Sequence, residues 1–170
     1  MKYAGMLFVV VSAASVGLQM SASLRSRCRL LRQLLAAMQV LRNEISVCGT
    51  PLPQAFALMA VSAKGSVERL CAYLAREMDA RRWLTPLTAM EQGLLSDPVW
   101  KQEENVCAIL RRCAVGLGKY DRVSQLHVID QTANDLSVLL KQTEQEHSIR
   151  GKTYRILGIC AGLSMVILLA

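Results

Sequence analysis

The chain has 170 residues, 52% of them apolar but only 5% aromatic, with six cysteines and a formal net charge of +7. That length suits one domain with short appendages, and the cysteines at 28, 48, 71, 107, 113 and 160 form no C-x-x-C pair and no ligand spacing with His127 or His147, which argues against a disulfide framework and a zinc site. Lys2, Arg25, Arg27, Arg29, Arg32 and Arg42 all precede the first acid, Glu44, and no polar or aromatic readers accompany them, so the charge reads as a basic belt at a membrane rather than a nucleic-acid surface.

Tyr3 to Leu24 carries no charge, and about 22 helical residues span roughly 33 Å, enough for a bilayer core. The rival is a cleaved signal peptide with Ser21-Ala22-Ser23 as its small-residue site. A leading segment with Lys2 alone, and four arginines just after the run, favour an uncleaved anchor.

Leu31, Leu34, Met38, Leu41, Ile45 and Cys48 then step by threes and fours, one face of a helix that continues out of the anchor until Gly49-Thr50-Pro51 stops it. Pro51-Leu52-Pro53 starts a short helix to about Ala63. Ser66 is the expected cap of the next, whose stripe is Val67, Leu70, Cys71, Leu74 and Met78. Thr85-Pro86 opens a helix to Leu95, ended by Ser96-Asp97-Pro98, with Trp83 and Trp100 as flanking packing residues. Glu103 to Gly116 is helical with Val106, Ile109, Leu110 and Cys113 on one side, and Gly116 to Asp121 reads as a turn whose Asp121 caps the last helix. There Leu126, Ile129, Ala133, Leu136 and Leu140 form the stripe, and no Pro or Gly interrupts residues 121 to 150.

The end of the chain admits two readings. Gly151-Lys152-Thr153 looks like the tail of a phosphate-binding loop, but the position that loop needs as glycine is Glu146, and helix rather than strand precedes it. The alternative is a basic collar, Arg150, Lys152 and Arg155, before the uncharged run Ile156 to Ala170. About 15 helical residues give only about 22 Å, so snorkelling basic side chains must extend the span. A buried core helix is the other possibility for this run. The collar mirrors Arg25, Arg27, Arg29 and Arg32, and basic flanks stay on the cytoplasmic side. The expectation is an all-α protein with spans at 1–24 and 153–170, a cytoplasmic helical bundle at 25–152, and both termini across the membrane.

Neither histidine has a nucleophile at a recognisable spacing, and Glu103-Glu104 and Glu144/Glu146 read as solvated helix faces. The reading is a non-enzyme that needs no cofactor, metal, nucleic acid or small-molecule substrate.

The arrangement resembles the stage III sporulation protein AB family. The resemblance rests on the Arg-rich exit into Leu34-Leu35-Ala36-Ala37-Met38-Gln39 and Asn43-Glu44-Ile45, then Thr50-Pro51-Leu52-Pro53-Gln54-Ala55-Phe56. Gly116-Leu117-Gly118-Lys119-Tyr120-Asp121-Arg122 leading into Gln125-Leu126, and Gly151-Lys152-Thr153-Tyr154-Arg155-Ile156-Leu157-Gly158 with Ala161-Gly162-Leu163, complete it. It implies a single-domain relative of the type II secretion F-type platform proteins, in the mother-cell membrane around the forespore. There it would meet a secretion-type ATPase and other proteins of the same complex. Membrane lipids and further copies of the chain are the other partners expected.

Overall fold

A computed structural model describes the backbone of residues 2–81, 83–117 and 121–169, and the side chains of 23–81, 83–117 and 121–146. Every described element is helical. α1 (Lys2–Asn43) continues into a π-helical turn (Glu44–Cys48). After it come α2 (Leu52–Ser62), α3 (Ser66–Ala80), α4 (Pro86–Ser96), α5 (Pro98–Lys101), α6 (Glu104–Leu117) and α7 (Arg122–Leu169). The chain divides into two compact units, Leu30–Leu139 and the pair Met1–Arg29 with Leu140–Ala170.

The larger unit is a bundle whose helices alternate in direction. Arg122 donates from Nε to the carbonyl of Ile45 at 2.8 Å, and Gln125 donates to the carbonyl of Leu117 at 2.9 Å. The end of α1, the start of α7 and the end of α6 therefore meet at one end. Arg69 in the first turn of α3 reaches Asp97 after α4, and Tyr73 meets Gln92 one turn further along, so α3 and α4 are antiparallel. The core between these helices is Leu31, Leu34, Leu41, Met59, Val67, Leu74, Trp100, Val106, Leu110, Ile129 and Leu136, all almost fully enclosed. Burial of each such side chain contributes about 1.5–3 kcal/mol before the entropy of ordering is subtracted.

The predicted stripe of α3 is buried at all five positions, and Leu31, Leu34, Met38, Leu41 and Ile45 of the first stripe are buried too. Cys48 is exposed. The cause is the π-turn, which adds a residue to the hydrogen-bonded ring and so rotates later residues off the α-helical stripe. Gly49 then closes the turn at φ 64°, a backbone region an L side chain resists, and its N–H returns to the carbonyl of Glu44.

Other expectations are corrected. Ser66 is the first helical residue of α3, the cap position being Gly65, and its hydroxyl accepts from Arg69 instead. Pro98 does not simply end α4; it begins α5, capped by Asp97. Trp100 packs in the core as expected, whereas Trp83 is 78% exposed in the α3–α4 connection. Gly116 lies inside α6 rather than in a turn, where its missing Cβ admits Val128 of α7: a methyl there would stand 2.6 Å from a Val128 carbon. The rest of the predicted turn, residues 118–120, lies outside the described residues. Ile109 is half-buried, beside the fully buried Leu110 and Cys113.

In the smaller unit, Cys28 and Thr143 are buried among the described side chains. Among the described residues no helix is long and apolar enough to cross a membrane. The predicted spans lie almost wholly outside the described side chains.

Candidate functional site

The basic belt divides accordingly. Arg25, Arg29 and Arg32, at i, i+4 and i+7, are exposed on one face of α1, whereas Arg27 is half-buried on the opposite side. The side chains of Arg150, Lys152 and Arg155 lie outside the described residues, as does that of His147. The backbone there is nonetheless the uninterrupted helix α7, which runs through Gly151-Lys152-Thr153. A phosphate loop needs successive N–H groups turned inward after a strand, and helical N–H groups are spent on the carbonyls four residues back.

His127 is exposed on α7. Glu104 is exposed, but Glu103 is buried just ahead of α6, against the expectation of a solvated face. Its N–H bonds to the carbonyl of Trp100, and the tight α5 turn folds it inward. Glu144 is half-buried and Glu146 exposed. Among the described residues no three His, Cys, Asp or Glu side chains gather as a metal site would require. Burial pushes the Cys71 thiol up to about 12 and also raises Cys113 and Cys107, so these thiols stay protonated.

Two polar joints fix the bundle instead. At one end, Asp97 accepts from the N–H of Val99, capping α5, and from Nε of Arg69 at 3.0 Å. Burial alone would raise its carboxyl, but the bonds from Arg69, Val99 and Ser66 outweigh that and hold it below the ordinary aspartate value. At the other end, Arg122 donates to the carbonyls of Ile45 and Ser46, which the π-turn leaves available. Arg42 and Asp130 pair at 2.6 Å one turn inward. Asp121 heads α7 as expected, its carboxyl held low chiefly by the Ser124 hydroxyl and further by the N–H groups of Val123 and Ser124.

What remains open to a partner is surface. Val47 in the π-turn, Trp83 in the α3–α4 connection and Val123 at the start of α7 are each more than 70% exposed. A groove of about 510 Å³ runs between α2 and α3, lined by Pro53, Ala57, Ala60, Ala72, Ala75 and Arg76, with Gln54 and Asp79 at its edge. A smaller cleft of about 180 Å³ between α6 and α7 is spanned at its mouth by Arg112 and Asp135, 3.6 Å apart. Sequence reasoning missed the groove because alanines between stripe positions read as spacers.

The sequence pattern of the stage III sporulation protein AB family matches residues 2–170. The stage III sporulation protein AB of Bacillus subtilis (strain 168) is 30% identical over 172 aligned positions, covering 99% of both chains. A solved structure of a stage III sporulation protein AB superposes with a TM-score of 0.62 at 30% identity, covering 70% of this chain and 94% of the other. The chain belongs to the stage III sporulation protein AB family.

Proposed function

We propose that the chain is a non-catalytic membrane platform of the sporulation channel complex between mother cell and forespore. Its helical bundle faces the mother-cell cytosol, where it meets a secretion-type ATPase and other proteins of the complex, in the manner of type II secretion F-type platforms. Family membership supports the place in sporulation. The observation that carries the membrane reading is the continuity of α1 and α7: each leaves the bundle as one helix and passes a basic cluster into an uncharged run. Positive flanks at both exits support a cytoplasmic side for the intervening bundle.

Cys48 offers the test, because it is exposed while Cys71, Cys107 and Cys113 are buried. An impermeant maleimide added to intact sporulating cells is expected to leave Cys48 unlabelled and to label it after permeabilisation, with Cys48→Ser removing the signal. Labelling of Cys48 in intact cells would overturn the topology.

A further inference from the structure

Ala72, Ala75, Arg76 and Asp79 follow the i, i+3, i+4, i+7 spacing of one helix face, turned away from the buried face of Val67, Leu70 and Leu74. They form the α3 wall of the groove, and Pro53, Ala57 and Ala60 form its α2 wall. Ala57, Ala72, Arg76 and Asp79 are exposed. Of the two charges on this wall, Arg76 has only weak contacts within its own helix. It pairs with the neighbouring Glu77 at 3.7 Å and lies 5.9 Å from the Tyr73 ring centre, but its side chain is 74% exposed, so solvent screens the pair and the guanidinium stays accessible to a partner. Asp79 has no hydrogen bond or ion pair among the described residues.

We propose that this groove is a homodimer interface, in which α3 of a second copy packs antiparallel against α3. The pattern of charge selects that occupant. A groove that receives a partner of one sign is lined by the opposite sign, but this wall carries one cation and one anion, one helical turn apart. A two-fold axis beside α3, between Arg76 and Asp79, sets each Arg76 against Asp79 of the other copy, so the surface complements itself twice. The alanines let two helix backbones approach closely, and the concave floor between α2 and α3 receives the side chains of the second copy.

The test uses the full chain, expressed as two differently tagged copies and solubilised in mild detergent. Wild-type copies are expected to co-purify. Arg76→Asp and Asp79→Arg singly place like charges across the axis and are expected to lower recovery about tenfold. The double variant R76D/D79R exchanges the two charges and is expected to restore wild-type recovery, which a structural defect or a different partner could not produce. Wild-type copies that do not co-purify, single variants without effect, or a double variant no better than the singles would each overturn the proposal. The membrane reading is separate, since labelling of Cys48 reads it whether or not the copies associate.

Discussion

Asp97 holds three donors with one carboxylate: the N–H of Val99, the guanidinium of Arg69 and the hydroxyl of Ser66. Because the folded carboxyl sits below its ordinary value of about 3.9, its stabilisation is complete above that value and is lost as pH falls through the lower, folded one. Asn at this position still caps α5 but cannot match the charged pair. Arg69 is 62% exposed, which weakens the pair by solvent screening, so Asp97→Asn is expected to remove about 1 kcal/mol at neutral pH. Unfolding followed by helical circular dichroism from pH 3 to 7 checks this. The gap between wild type and variant should be constant above about pH 5 and should close below about pH 4. A gap independent of pH would mean that the cap, not the charge, carries the effect.

At the scale of the element, α6 and α7 approach at Gly116, and a Cβ there would meet Val128 at 2.6 Å. Gly116→Ala is therefore expected to destabilise the fold by about 1–3 kcal/mol, although Ala is the better helix former. Val128→Ala in the same chain should recover part of the loss, and unfolding midpoints of the four chains give the coupling directly. This contact shows where sequence reading ends. The helices themselves were legible, because their stripes step by threes and fours and Pro51, Pro86 and Gly49 punctuate them in the ordinary way. Cys48 was misplaced because a π-turn leaves no mark on residue spacing. Gly116 was read as a turn because a glycine admitting a neighbour and a glycine bending the chain look alike until the neighbour is known. Trp83 was assigned to packing because exposure of an aromatic depends on the course of a loop. The groove depends on which helices become neighbours, and no single stripe carries that.

For the whole molecule, the joint at Arg122 ties the end of α1 to the start of α7 through two carbonyls freed by the π-turn. Charged donors to carbonyls contribute about 1.5–3 kcal/mol each when enclosed and less where water competes, as it does here. Arg122→Ala is expected to lower stability by about 1–2 kcal/mol, and Arg122→Lys should recover little, since one ammonium cannot span both carbonyls as the guanidinium fork does. A melting series of the three chains checks both statements. If Lys fully replaced Arg, the fork would be irrelevant.

The same joint has a consequence for how the chain reaches its structure. The contacts within α2–α6 join neighbours in sequence, whereas Arg122 and Ile45 are separated by 77 positions. Bringing distant residues together requires closing the intervening loop, and the entropy lost grows with its length before the contact returns anything. If the intervening hairpins form first, they shorten that loop to the span of a compact body. The rate-limiting event of assembly would then be the meeting of the two longest helices, the last pair to find each other although one of them begins the chain.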